Sequence, residues 1–132
     1  MGQIKFSVRA WRPGDARSLG AAVPAGICLA VEALVAAGRG VAYCLTEQDQ
    51  PVGVATLTTD GEVMVYLHPT KQRHGYGTLA LHSLIGRAEK AGYKRIHARA
   101  RIGMGGEALG RKLGMEEVGR NSEEVFLERR FR

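Results

Sequence analysis

Apolar and polar residues alternate from Ile4 to Arg9, with Ile4, Phe6 and Val8 on one side, which predicts a half-buried first strand. Pro13, Gly14 and Asp15 interrupt it, and Asp15 is placed to cap a short helix over Ala16 to Ala22 by accepting a backbone N–H. Gly26 to Gly38 is rich in Ala, Leu, Val and Ile and predicts a second, well-buried helix. Val41 to Thr46 and Val52 to Thr58 are short β-branched or apolar runs joined across Glu47 to Pro51, a hairpin pattern. Asp60-Gly61 then turns the chain into a further strand over Glu62 to His68, which Pro69 ends because it lacks a ladder donor.

After a glycine-bearing loop, Leu81, Leu84, Ile85 and Ala88 share one face of a helix predicted over Thr78 to Ala91. Gly92 terminates it. Lys94 to Ala100 reads as a strand, Glu107 to Leu113 as a short helix closed by Gly114, and Met115 to Arg120 with Glu123 to Arg129 as a last hairpin around Asn121 and Ser122. The order βααβββαβαββ, without a linker or repeat, predicts an α/β (α+β) domain with a mixed sheet and helices on both faces. A length of 132 residues suits one domain, residues 1–132, that buries roughly two-thirds of its unfolded surface.

Charge adds a location. Residues 1–66 carry a balance of −1 and residues 67–132 a balance of +7; between Lys71 and Lys112, 10 basic residues face only Glu89 and Glu107. Such an excess points to an anionic partner, either nucleic acid or a phosphorylated cofactor. The chain has four Tyr, three Phe and one Trp, and none joins the basic run in a base-stacking string, so nucleic acid is not the expected partner. The N-terminal MGQIKFSVRAWRPGD has no apolar signal core, and no apolar run approaches the roughly 20 residues of a membrane span. A cytoplasmic location without membrane attachment is the expectation. Cys28 and Cys44 lie in apolar runs without metal-site or redox spacing and read as buried thiols.

The segment Leu67-His68-Pro69-Thr70-Lys71-Gln72-Arg73-His74-Gly75-Tyr76-Gly77-Thr78 runs from a strand through a loop into a helix. Helix N-termini attract anions because their first N–H groups lack internal partners, and Gly75 and Gly77 let a ligand approach the backbone closely. Lys71, Arg73 and Thr78 add donors. No Walker A string occurs, and Gly103-Met104-Gly105-Gly106-Glu107-Ala108 lacks the βαβ unit that a dinucleotide fingerprint needs. His68, His74, His82 and His97 follow no metal-ligand spacing, so no metal is expected.

The string Gln72-x-x-Gly75-x-Gly77 resembles the pyrophosphate loop of the GCN5-related N-acetyltransferase (GNAT) family. Leu67-x-Pro69, Val8-Arg9-Ala10 with Pro13-Gly14-Asp15-Ala16, Pro51-Val52-Gly53 and Lys112-Leu113-Gly114-Met115-Glu116-Glu117 are similar to that family's other segments, in order along nearly the whole chain. The resemblance implies a central, mostly antiparallel sheet of six to seven strands with about four helices, splayed between the fourth and fifth strands, where acetyl-CoA lies as co-substrate. It implies that Leu67 offers backbone groups to the acetyl carbonyl and pantetheine arm. Gln72, Arg73, His74, Gly75, Tyr76, Gly77 and Thr78 would hold the pyrophosphate, with adenosine phosphate near Lys71 or Arg73. The implied activity is transfer of an acetyl group to a primary amine, of a small molecule or a protein, by a monomer or homodimer. Gly103 and Gly110 stand where the family often has Asn and a Tyr acting as general acid, and they motivate a second reading, a degenerate CoA-binding module without catalysis.

Direct attack on a thioester needs a neutral amine. For a lysine-like group of pKa about 10.4, reaching that form near pH 7 costs roughly 4 to 5 kcal/mol, against only about 2 for releasing a thiolate of pKa about 8.5. Deprotonation is therefore the larger problem. Glu62, which opens the strand leading to Leu67, is the candidate base; Glu47 and Asp49 lie in the preceding hairpin. Tyr66 is the candidate substitute acid, while His82 and Cys44 are expected to have no catalytic part.

Overall fold

The computed structural model describes residues 5–72 and 74–132. These form seven strands and four α-helices in the order that the hydrophobic pattern predicts. Strands β1 (Phe6–Ala10), β2 (Gly40–Glu47), β3 (Gln50–Thr58) and β4 (Val63–Leu67) make one antiparallel sheet in that order. Strands β5 (Arg95–Arg101) and β6 (Glu116–Arg120) flank β7 (Glu124–Arg130) in a second. Helices α1 (Asp15–Leu19) and α2 (Ala25–Ala36) follow β1, α3 (Tyr76–Lys90) joins the sheets, and α4 (Gly105–Lys112) connects β5 to β6. Ile4, the first residue of the expected strand, lies outside the described residues.

Alternation along the strands gives the first sheet two covered faces. Tyr43, Leu45, Ala55, Leu57, Val63 and Leu67 join the main core with Ala80, Leu81, Leu84, Ile85 and Ala88 of α3. Burying each such leucine fully contributes roughly 1.5 to 3 kcal/mol. Val54, Met64 and Tyr66 belong to the opposite side, with Leu19, Val23, Cys28 and Val31 of the α1–α2 segment. No helix of the described residues is long and apolar enough to cross a membrane.

Two local expectations change. Gly14, not Asp15, occupies the cap position of α1. The Asp15 carboxylate instead turns back, accepting from the Arg12 N–H at 2.7 Å and from two Arg9 guanidinium nitrogens at 3.0 and 2.9 Å. Burial alone would raise the pKa of this carboxyl, but the bonds from Arg9 and Arg12 outweigh it and hold the group below its ordinary value. The second helix is not well buried: only Cys28 and Val31 of α2 are, and Leu29 is 71% exposed. Apolar on nearly every side, α2 carries no periodic signal saying which stripe meets the sheet. Cys28 and Cys44 are buried and unpaired with each other, and burial, with Asp15 nearby, pushes the Cys44 thiol up to about 11, which leaves almost no thiolate near neutrality.

The two sheets meet at one corner. The His97 N–H donates to the Gly61 carbonyl at 2.9 Å, and Glu62 and His97 form a parallel bridge there. Gly61 has φ 97°, and a Cβ on it would lie 2.7 Å from the Arg95 carbonyl oxygen, so this corner requires glycine. Past the corner β5 pairs with β7 rather than with β4, and the sheet splays between its fourth and fifth strands.

Gly61→Ala should lower stability by about 1 to 3 kcal/mol, because it combines positive φ with a carbonyl clash. Gly86→Ala, at an exposed and open position inside α3, should raise it by up to about 1 kcal/mol. Denaturant midpoints of the two variants check both signs. The Asp15 contribution is present above the ordinary carboxylate pKa and lost as pH falls through the lower folded-state value. Acid unfolding of Asp15→Asn should accordingly lack that part of the pH dependence.

Candidate functional site

The loop leaving β4 is built by short-range bonds. His68 Nδ1 accepts from the Thr70 N–H at 3.0 Å, and His74 Nε2 lies 3.2 Å from the Thr70 carbonyl oxygen. Gln72 donates its side-chain amide to the Leu67 carbonyl at 3.2 Å, so it ties the loop back to the strand end. Arg73 lies outside the described residues. Gly75 then takes φ 79° as the cap of α3, without any side-chain cap, and space beside its α-carbon is open. The first-turn N–H groups of Tyr76, Gly77 and Thr78 thus form the uncapped positive end of a 15-residue helix, a favourable place for an anion.

Side chains of the same segment divide between ligand and core. Tyr76 is buried, stacks on Phe6 with ring centroids 4.5 Å apart and on His74 of the loop at 5.7 Å, and donates its hydroxyl to Glu47. A Cβ on Gly77 would lie 3.3 Å from Leu109 Cδ2; this glycine lets α3 sit close to α4. Leu67 is buried in the main core.

One carboxylate secures both ends of the loop. Glu47, at the end of β2, accepts from Lys71 Nζ at 2.7 Å and from the Tyr76 hydroxyl. The Lys71 hydrogen bond, then that of Tyr76, hold the Glu47 pKa below its ordinary value. Glu47 thus holds the loop through two partners, Lys71 and Tyr76. Only a fold that brings β2 beside the loop reveals this contact, which spans 24 residues of chain.

The splay between β4 and β5 holds a cleft of about 420 Å³ lined by Val65, Tyr66, Leu81, Ala98, Ala100 and Leu109 among others. Its walls are mainly apolar, and Arg99 and Arg101 stand on its β5 side. A larger cavity, about 570 Å³ beside Glu128 and Arg129, shares no lining residue with the loop or the cleft. Its Glu128 is already paired with Arg95 and Arg130, which argues for an internally neutralised surface hollow.

Tyr66 of β4 and Glu62, just before it, lie on the same face, but four residues apart, or about 13 Å along a strand. They cannot touch the same reacting atom. Tyr66 lines the cleft; Glu62 sits at the corner and pairs with Arg99 Nε at 3.3 Å. Gly110 is buried, and a Cβ there would lie 2.7 Å from Leu127 Cδ1, in a side chain that is itself 1% exposed. The missing side chain is thus matched by close packing of α4 on β7. Among the described residues, no three His, Cys, Asp or Glu groups come together as a metal site.

Several of the basic side chains have partners within the fold. Arg111 pairs with Glu107 and Glu117, Arg95 with Glu128, and the Arg87 guanidinium lies 4.7 Å from the Tyr43 ring centre. Arg99 and Arg101 were missed as site candidates, although the alternation in Arg95-Ile96-His97-Ala98-Arg99-Ala100-Arg101 already puts all four cationic or titratable groups on one face.

The model of the Acetyltransferase (GNAT) family matches residues 17–105. Among curated proteins no match is found. Of solved structures, RimL, the ribosomal L7/L12 alpha-N-protein acetyltransferase in complex with coenzyme A, superposes with a TM-score of 0.80 at 13% identity over 98% of this chain and 98% of its own. A GCN5-related N-acetyltransferase from Rhodopseudomonas palustris gives 0.78 at 20% identity over 99% of both chains. The yncA protein of Salmonella typhimurium with its cofactor acetyl-CoA gives 0.69 at 22% identity, covering 95% of this chain and 93% of that one. These likenesses establish a shared fold.

Glu47→Gln should weaken the hold on Lys71 and speed amide hydrogen exchange across residues 72–78, while the helix core of α3 keeps its protection. Mass-spectrometric exchange checks this, and unchanged loop protection would show that the carboxylate does not secure the loop.

Proposed function

The chain belongs to the acetyltransferase (GNAT) family, and on that premise we propose that it transfers an acetyl group from acetyl-CoA to a primary amine by direct attack in a ternary complex. One observation carries the reading: the uncapped N-terminus of α3 opens at the end of β4, beside an apolar cleft between β4 and β5. An anion-binding helix end next to a narrow apolar slot suits a molecule with a pyrophosphate at one end and a pantetheine arm at the other. Coenzyme A and acetyl-CoA accompany two of the structures of like fold.

In this reading the N–H groups of Gly75, Tyr76, Gly77 and Thr78 receive the pyrophosphate, with His74 beside them. Gln72 positions the loop through the Leu67 carbonyl, and Leu67 presents its strand-end backbone to the arm. Acetyl-CoA supplies the activated acyl group. Holding it against the amine converts a bimolecular encounter into an intramolecular one, the largest contribution available to a site with few titratable groups. Tyr66, in the cleft wall, donates its hydroxyl proton to the departing sulfur. Glu62 takes up the ammonium proton through water, since it stands on the same face but outside direct reach.

Gly110 favours a second reading, a chain that binds CoA without turnover, because the usual acid is missing and its place is packed against Leu127. Free-thiol release from acetyl-CoA across a panel of primary amines separates the two. Amine-dependent release supports transfer, whereas thermal stabilisation by CoA with no release from any amine supports the binding module.

Gly75→Asp and Gly75→Asn share the same backbone demand at φ 79°, which Asp and Asn tolerate better than other side chains, and only the first adds negative charge. Calorimetry should show CoA affinity at least about tenfold weaker in Gly75→Asp than in Gly75→Asn, with similar melting temperatures. Equal affinities would remove the phosphate assignment from this loop.

A further inference from the structure

We propose that the acceptor is a small primary amine bearing its own anionic group, a carboxylate or a phosphate, which Arg99 and Arg101 receive on the α1–α2 side of the cleft. This rests on acetyl transfer taking place in that cleft. The side is set by register. Glu62, just before β4, and His97 are bridged in parallel, and Glu62 pairs with Arg99, so the odd-numbered side chains of β5 share a face with Glu62 and with Met64 and Tyr66 of β4. Met64 and Tyr66 pack with the α1–α2 segment, and Val63 and Leu67 with α3. Arg99 and Arg101 therefore stand on the face opposite the α3 N-terminus, away from the proposed pyrophosphate and on the side from which an amine must come.

Both residues line the cleft and reach solvent: Arg99 has 59% of its side chain exposed even while paired with Glu62, and Arg101 is exposed and has no ion pair among the described residues. Glu124 is opposite Arg101 in the β5–β7 register without forming an ion pair to it. His97, next along the face, lies 3.7 Å from Asp60 at the corner. Among the described residues, no carboxylate lines the cleft. Two residues apart on a strand, the Arg99 and Arg101 α-carbons are about 7 Å apart, a span over which two long side chains converge on one carboxylate or phosphate. The same field repels polycationic acceptors.

The test uses the whole chain and two matched pairs, β-alanine against propylamine and phosphoethanolamine against ethanolamine. In the wild type, kcat/KM for the anionic member should exceed that for its neutral partner by about tenfold or more. The Arg101→Gln variant should bring that ratio close to one while leaving KM for acetyl-CoA unchanged. The pair with the larger ratio tells carboxylate from phosphate. Equal or inverse preference in the wild type, a ratio that survives in Arg101→Gln, or a rise in KM for acetyl-CoA in its place would overturn the proposal.

Calorimetric titration of the same four compounds into the CoA complex decides the point without turnover. Anionic members should bind more tightly, and Arg101→Gln should abolish the difference; four equal affinities reject the proposal. Failure of CoA itself to bind would instead defeat the underlying reading of the cleft.

Discussion

Everything that makes this fold a container hangs on the backbone contact between Gly61 and His97. Two antiparallel sheets would otherwise merge or separate. A single parallel bridge at Glu62, with glycine allowing the Arg95 carbonyl to come close, joins them at one end. Because β5 immediately turns to β7 for its ladder, the facing edges of β4 and β5 diverge and leave a slot. Edge peptide groups need partners, and a slot between two strand edges is a natural place for an amide-bearing ligand arm. The apolar α3 face then closes one side of the slot, and the α1–α2 segment stands on the other.

Charge in this protein is used mostly for assembly. Arg9 and Asp15 fasten β1 to α1, Lys71 and Glu47 fasten the loop to β2, and Arg111 bridges Glu107 and Glu117 across α4 and β6. Each such pair cancels one charge of either sign, so the net count of +6 is what is left after pairing. The α3 end carries no side-chain cap on one face of the sheet, and Arg99 and Arg101 stand on the β5 side of the cleft.

Gly110 of α4 shows how the lack of a side chain can serve packing. Gly110 leaves no side chain for acid chemistry, yet it lets the helix settle against Leu127 and Met115 in the main core. A larger residue at that position would have to displace a fully buried leucine. The cost of overpacking such a site is typically about 1 to 3 kcal/mol. Tyr66 on the facing strand is the hydroxyl that remains in the cleft wall.

The sequence by itself determined the element order, because each strand and helix carries its own period and its own stops: Asp60-Gly61, Pro69 and Gly92 all end or turn elements where expected. A loop followed by a helix after β4 is legible in the same way, although α3 starts at Tyr76 rather than at the expected Thr78. The sequence did not determine the buried stripe of α2, whose apolar residues surround the helix, nor the turn of Asp15 back to Arg9 and Arg12. The tertiary structure decided the pairings across distance. It gave Glu47 to Lys71 and Tyr76, turned the Tyr76 ring into the core, separated Glu62 from Tyr66 along one strand, and put Arg99 and Arg101 beside the cleft. The physical reason is that backbone preference and burial act on neighbouring residues, whereas a site is made by side chains whose partners are fixed only when separate strands come into register.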